Sequence, residues 1–300
     1  MAGRFAPSPT SDLHLGNLRT ALLAWLFARS SGREFILRIE DLDQARVAAV
    51  AGVAERQLAD LAALGIDHDG EVVRQSGRLA LYEAALAALD VYECYCSRRD
   101  IAESAQAPHG DGYRPYPGTC RDLTDAERSA KRSVRPAALR VRAGGVTWTA
   151  TDELYGRVTG VVDDFVLRRG DGTYAYNLAV VVDDGLQGVD QVVRGNDLLS
   201  SVPRQAWLAD RLGFTPPAYA HVPLALGPGG QRLAKRDGAV TLTELAAIGV
   251  TPTEILTTLA ASLGLAESGE RVTPRGLLDR FDPAALPRSP WVVPSRAQAS

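Results

Sequence analysis

Apolar and polar positions alternate along this chain in two rhythms. "LRTALLAWLFARS" (residues 18–30) is apolar on most faces and rich in helix formers, which predicts a deeply packed helix ended by Ser30, Ser31 and Gly32. The stretch before it, "RFAPSPTSDLHLGN" (4–17), reads as a short strand, a proline-punctuated loop and a helix start. Phe35–Ile39 then reads as a buried strand that runs into an acidic cluster. Strand, helix, strand in this order is the βαβ pattern of a parallel sheet. Residues 48–65 and 76–90 predict two amphipathic helices with arginine and glutamate on their polar faces.

The texture changes after residue 94. Residues 94–122 are loop-rich, whereas 139–156 and 164–184 alternate like antiparallel strands, with "GDG" (170–172) as a hairpin turn. Residues 191–213 return to strand then helix, and 224–240 read as a strand and a glycine-loosened loop. The expected class is therefore α/β: a Rossmann-type parallel-sheet nucleotide-binding domain with an inserted α+β subdomain. The boundaries expected are 1–94 for the first half of the catalytic domain, 95–185 for the insertion, 186–240 for the second half, and 241–300 for a short helical C-terminal segment.

Bulk properties narrow the field. With 300 residues, 46% of them hydrophobic and 23% charged, the chain can bury a sizeable core and is not disordered. A net charge of −3 argues against indiscriminate coating of nucleic acid but permits a local basic groove. "TALLAWLFA" (20–28) is too short to span a membrane, and the prolines and charges ahead of it do not suit a signal peptide. A cytoplasmic protein without a membrane partner is expected, and a monomer, because no exposed apolar stripe stands out. All three cysteines fall between 94 and 120, which suits a metal cluster in a reducing compartment better than a disulfide framework. Three thiolates and one more donor would close a tetrahedral Zn²⁺ site, and His109 is the natural fourth ligand by residue type.

Candidate chemistry lies at the strand ends. A helix N-terminus favours phosphate, His14 adds a hydrogen-bond donor, and Gly16 lets a flat group such as a purine approach the backbone. Taken alone, His14 reads first as a helix cap and Gly16 as an easy turn. "RLAKR" (232–236) places Lys235 on a loop that can follow charge migrating along a triphosphate.

Together, "PSPTSDLHLGN" and "RLAKR" resemble the two signatures of class I aminoacyl-tRNA synthetases, and "RFAPSPT", "LRIEDLD", "AYNLAVVVDDGLQGVDQVVRGNDLL" and "HVPLAL" resemble the glutamyl branch in the right order. The resemblance covers roughly residues 3–240. Two departures sit in the lysine loop: it opens with Arg232, and it has Ala234 where the family usually has serine. Residues 236–300 are fewer than the ~100–150 of a typical domain, so no anticodon-binding domain is expected. The chain thus resembles the short glutamyl-Q tRNA(Asp) synthetase family, in which the catalytic half stands alone. The residues 176–184 and 194–199 and the cysteine cluster fit that family best.

The resemblance implies ATP with Mg²⁺, L-glutamate and tRNA(Asp) carrying queuosine as substrates and partners. It implies catalytic and ATP-binding roles for His14, Gly16, Asn17 and Lys235, and a glutamate pocket of Arg4, Ser8, Glu40, Tyr176 and Arg194. Two arginines suit the two carboxylates of glutamate, Tyr176 adds a hydroxyl, and Glu40 suits the ammonium. It makes the insertion an acceptor-binding-like subdomain and picks Tyr116, with Cys94, Cys96 and Cys120, for a structural zinc site. Asp41 and Asp43 are expected as capping or surface groups. Asp183 and Asp184 are expected to hold the lysine loop or a neighbouring helix. Three rival readings remain: a truncated glutamyl-tRNA synthetase charging tRNA(Glu), a small nucleotidyltransferase with a similar His/Gly tetrad, and a non-catalytic zinc-containing tRNA-binding adaptor.

Overall fold

The computed structural model describes residues 1–97, 99–101, 115–231, 233 and 240–293. Strand β1 (Ala2–Phe5) leads through the proline loop into α1 (Leu15–Ser30) and back into β2 (Glu34–Ile39), parallel to β1. Leu18, Leu22, Trp25 and Leu26 of α1 are all fully buried. Their helix is apolar all round because it lies between the sheet and the C-terminal helices. The helix expected over 48–65 is split into α2 (Gln44–Ala48) and α3 (Val53–Ala63), and Gly52 between them takes a φ of +72° that a side chain disfavours.

The remaining strands of the central sheet are β3 (Val73–Arg74), β6 (Val146–Asp152), β7 (Gly156–Val162), β9 (Val189–Gly195) and β10 (Ala218–Val222). Their order is β3-β2-β1-β9-β10-β6-β7, parallel throughout except for the β6–β7 hairpin. The chain moves outward from β1 to β3 and later returns on the other side of β1 with β9. The direction of winding therefore reverses between β1 and β9, the place where α/β sheets bind ligands at their strand ends.

Residues 91–168 are built in two pieces. Strands β4 (Val91–Cys94), β5 (Ala138–Val141) and β8 (Val166–Arg168) form a separate antiparallel sheet, beside which helix α5 (Asp125–Arg132) starts in a Thr124–Glu127 capping box. The β6–β7 hairpin instead joins the edge of the central sheet, where Asp152 pairs with Tyr219. The strand expected over 176–184 is corrected: Tyr176–Leu186 is helix α6. Its Leu178, Ala179, Val180, Val181 and Val182 are all buried, because α6 packs against α4 (Leu79–Ala87), α7 (Val202–Arg211) and β9. A continuous apolar run fits a buried helix and a buried strand equally well, so periodicity alone does not separate them.

The C-terminal helices α8 (Leu242–Ala246), α9 (Pro252–Ala261) and α10 (Pro274–Leu278) share one core with α1 through Ile255, Leu256, Leu259 and Leu277. Arg19 seals this junction, donating from Nη1 to Pro223 O at 2.8 Å and from Nε to Ser262 Oγ at 3.0 Å. Burial pushes its guanidinium down to about 10. Strand β12 (Trp291–Val292) adds a parallel pairing to β11 (Ala225–Leu226). Among the described residues no helix is long and apolar enough to cross a membrane.

Candidate active site

A cleft of about 450 Å³ opens over the carboxyl ends of β1 and β9, lined by Ser8, His14, Gly16, Asn17, Arg194 and Asp197 among others. His14 is the N-cap of α1: its Nδ1 accepts the backbone N–H of Gly16 at 3.1 Å and of Asn17 at 3.3 Å. Asn17 Oδ1 accepts the His14 N–H at 3.2 Å in return. Capping occupies only Nδ1, so the neutral ring carries its proton on Nε2 as a donor. Burial holds the His14 pKa below its usual value and favours this neutral form. The cap and the cleft wall are thus the same side chain. Gly16 gives close packing here: a Cβ would lie 3.0 Å from His14 Cε1 and 3.2 Å from the Ala225 Cβ, so a neighbour would have to give by a few tenths of an ångström.

Lys235, Arg232 and Ala234 lie outside the described residues, as does His109. Both stems of the lysine loop are visible. On the entry side Gly227 N–H donates to Gln231 O at 2.8 Å, and Leu233 lines the cleft. On the exit side Leu15 N–H donates to Val240 O at 3.1 Å, and Thr241 bridges to His14. The loop therefore leaves and re-enters at the walls of the His14 cleft.

Arg4, Ser8, Glu40, Tyr176 and Arg194 line one cavity of about 340 Å³, which shares Ser8, Thr20, Arg194 and Leu198 with the cleft. Arg4 Nε donates to Asp184 Oδ1 at 3.3 Å, and Arg38 Nη2 donates to the same oxygen at 2.8 Å. Burial alone would raise the Asp184 pKa, but Arg38 and Arg4 outweigh it and hold the carboxyl below its ordinary range. Glu40 lies 3.7 Å from Arg38 Nη2; burial raises its pKa, and Arg38 and Arg4 offset only part of the rise. The cavity thus holds a carboxylate that gains from a cation, between two arginines that suit anions.

The neighbouring aspartates sort by partner. Asp183 accepts from Gln75 Nε2 at 2.9 Å, Arg78 Nε at 2.6 Å and the Tyr82 hydroxyl at 2.8 Å, so it ties α6 to α4 and the turn before it. Asp184 supports Arg4 of the cavity and makes no described contact with the lysine loop. Asp43 caps α2, while Asp41 is buried and accepts the Ser76 N–H and hydroxyl at 2.8 and 2.7 Å.

Arg194 is held by Tyr176 of the expected pocket and by two residues that carry no expected role, His221 and Gln205. Its Nε donates to His221 Nε2 at 2.9 Å, and its Nη1 donates to Gln205 Oε1 at 2.8 Å and the Tyr176 hydroxyl at 3.1 Å. Behind His221 stands Asp152, 2.6 Å from Nδ1. His221 falls inside "HVPLAL", a stretch with a visible signal. Asp152 has none, because its hairpin reads as part of a separate subdomain.

The three thiols of Cys94, Cys96 and Cys120 lie within 4.8 Å of one another. Cys96 Sγ is 3.6 Å from Cys120 Sγ, and the Tyr116 hydroxyl oxygen lies 3.4 Å from Cys94 Sγ and 3.7 Å from Cys96 Sγ. This cluster of soft donors, with an oxygen at its side, fits a Zn²⁺ ion.

Residues 1–296 match the family of class I tRNA synthetases (E and Q), catalytic domain. The chain belongs to this family. A glutamyl-Q tRNA(Asp) synthetase of Nocardia farcinica is 61% identical over 297 residues, which cover 97% of this chain and 93% of the relative. One from Symbiobacterium thermophilum is 47% identical over 319 residues, covering 100% of this chain and 98% of the relative. A solved glutamate tRNA ligase from Elizabethkingia meningosepticum, in complex with its amino acid, matches with a TM-score of 0.79 at 26% identity. That match covers 97% of this chain and 66% of the longer ligase. Within the family this chain is a ligase with a glutamyl-tRNA synthetase-like activity, working on glutamate, ATP with Mg²⁺, and tRNA.

Proposed function

We propose that the chain activates L-glutamate on ATP without tRNA and then transfers it to the queuosine base at the wobble position of tRNA(Asp). The observation that carries this reading is the joined cavity: two arginines, a carboxylate and two hydroxyls open directly into a cleft headed by a helix N-terminus. The names of the relatives, and their length close to that of this chain, support the queuosine arm.

Arg4 and Arg194 bind the carboxylates of glutamate, Tyr176 and Ser8 add hydroxyls, and Glu40 receives the ammonium. Glutamate then presents a carboxylate oxygen to the α-phosphorus of ATP. A new O–P bond forms, the bond from the α-phosphorus to the bridging oxygen breaks, and pyrophosphate leaves with the electron pair. The α1 N-terminus, the His14 Nε2–H and Lys235 stabilise the charge that develops, while Gly16 and Asn17 keep the imidazole in place. Mg²⁺ travels with ATP and neutralises triphosphate charge. A queuosine cyclopentene hydroxyl next attacks the glutamyl carbonyl, loses its proton, and displaces AMP.

In this reading Cys94, Cys96, Cys120 and Tyr116 hold a structural Zn²⁺ that folds the loop-rich start of the inserted region. That region serves as the tRNA-facing subdomain. The enzyme works as a cytoplasmic monomer.

Amino-acid-dependent ATP–pyrophosphate exchange tests the first step. Exchange with glutamate, not glutamine or aspartate, in the absence of tRNA is expected, followed by labelling of queuosine-containing tRNA(Asp). Exchange only after tRNA(Glu) is added, with charging at its 3′ end, would establish the charging enzyme instead. Silence under both conditions with retained tRNA binding would establish the adaptor.

A further inference from the structure

Arg4 and Arg194 are anchored by opposite kinds of partner. Arg4 is paired with a carboxylate, Asp184. Arg194 has no carboxylate partner among the described residues; its Nε–H goes to the imidazole of His221, 2.9 Å away. A guanidinium only donates, so His221 Nε2 must accept, and the single ring proton of the neutral imidazole sits on Nδ1. That proton faces Asp152 Oδ2 at 2.6 Å. The same oxygen accepts the His221 backbone N–H at 3.0 Å, and Asp152 Oδ1 accepts the N–H groups of Leu154 and Tyr155 at 2.9 Å each. All three side chains are buried, so water does not compete for these bonds.

We propose that Asp152 and His221 are positioning residues that set the preference for an anionic amino acid. Asp152 locks His221 as the Nδ1–H tautomer, and a neutral imidazole then orients Arg194 without neutralising it. The consequence is chemical. An arginine already paired with a carboxylate gains less from a second one, whereas Arg194 keeps its full charge, and an Nη2 N–H, for the substrate carboxylate. A neutral amide in that position would leave the buried cation without a counter-charge, which is how a site separates glutamate from glutamine. The inference rests on the glutamate reading of the cavity. It also gives the β6–β7 hairpin a second task, because Asp152, the last residue of β6, fixes the orientation of a pocket arginine two strands away.

The test is exchange kinetics, with glutamate and glutamine each varied, for the unaltered chain, Asp152→Asn, His221→Gln and the double variant. An amide at 152 presents N–H toward the ring and drives its proton to Nε2, against the Arg194 Nε–H. Asp152→Asn is expected to raise the glutamate KM about 10-fold, with kcat and the ATP KM within about 2-fold, and to narrow the glutamate-to-glutamine ratio. His221→Gln, whose amide oxygen accepts from Arg194 with no tautomer to set, should stay within about 3-fold of the unaltered KM. In that background Asp152→Asn should add nothing. Equal losses in both backgrounds would mean that Asp152 merely holds the hairpin together, and would overturn the proposal.

Imidazole ¹⁵N spectra read the tautomer in the unaltered chain, so a variant that fails to fold does not block the test. A histidine signal that disappears in His221→Gln should show a protonated Nδ1; a protonated Nε2 there overturns the proposal. If the unaltered chain exchanges with no amino acid, the glutamate reading falls and the specificity claim falls with it. Glutamate exchange with an unchanged KM in Asp152→Asn overturns the present inference alone.

Discussion

Arg4 and Arg38 share one oxygen of Asp184, at 3.3 and 2.8 Å, beneath the cavity that carries the candidate amino-acid pocket. A single buried anion thus holds two cations, one facing the cavity and one wholly internal. Asp184→Asn removes that anion and leaves both guanidinium groups undercompensated, which should cost about 3–5 kcal/mol of stability. The pH dependence gives a second readout. The folded pKa of Asp184 lies below its ordinary value, so its stabilisation is complete above the ordinary carboxylate range and is lost as pH falls through the folded value. Urea unfolding from neutral to acid pH should therefore show a loss in the unaltered chain that is smaller in Asp184→Asn. A variant as stable as the parent at neutral pH would mean that the pair is ornamental.

Glu40 has the opposite sign. Burial raises its pKa despite Arg38 and Arg4, so its ionised form weighs against folding at neutral pH. That penalty is complete above the raised folded pKa and vanishes below the ordinary value of 4.5. Glu40→Gln is expected to melt no lower than the parent at neutral pH, with its advantage shrinking as the solution is acidified through that window. It should also raise the glutamate KM by roughly 10–100-fold, because the substrate ammonium loses a charged acceptor. Thermal melts and exchange kinetics on the same preparations would show stability and activity moving apart. A destabilised variant with an unchanged KM would make Glu40 a structural residue.

These two carboxylates show what the sequence makes legible. Arg4, Glu40, Tyr176 and Arg194 stand at strand ends or a helix start within distinctive motifs, and they meet in one cavity. Their supports were harder to read. Asp184 lies in a run whose apolar neighbours look like a strand, and only its place on α6 turns it toward Arg4. Asp152 and His221 are 2.6 Å apart across 69 residues, a contact created by the hairpin joining the catalytic sheet. The parallel βαβ start was legible because strand and helix periodicities differ over residues 4–39. The integration of residues 241–293 into the α1 core was not, because an amphipathic helix does not declare which surface it covers.

The described residues on either side of Lys235 reach the His14 cleft: Leu233 lines it, and Val240 O accepts from Leu15 N–H at 3.1 Å. A cation on such a loop acts when charge builds on the phosphates, and little before. Lys235→Ala should therefore lower the single-turnover rate of glutamyl-adenylate formation by roughly 10²–10³, with a much smaller change in glutamate binding. Calorimetric titration with glutamate supplies the second number. Near-normal adenylate formation would remove Lys235 from the mechanism.

The cysteine cluster allows a test of its fourth donor. Tyr116 is anchored at both ends: its backbone N–H donates to Asp163 Oδ2 at 2.7 Å, and its hydroxyl oxygen accepts the Cys120 N–H at 2.8 Å. Arg140 also stacks on its ring at 3.7 Å from the centroid. A phenolic oxygen fixed this way, beside three thiols, is placed to complete a tetrahedral shell. Metal analysis of the purified chain should find about one zinc per molecule, retained at neutral pH and released by strong chelators. Cys120→Ser should lose most of it and lower the unfolding temperature. Tyr116→Phe keeps the ring and removes only the oxygen, so it should weaken zinc retention by about 10–100-fold in a chelator competition if that oxygen is a ligand. His109→Ala is the matched control. Loss of zinc on changing His109, with Tyr116→Phe unaffected, would reassign the fourth position to the histidine that residue type alone favours.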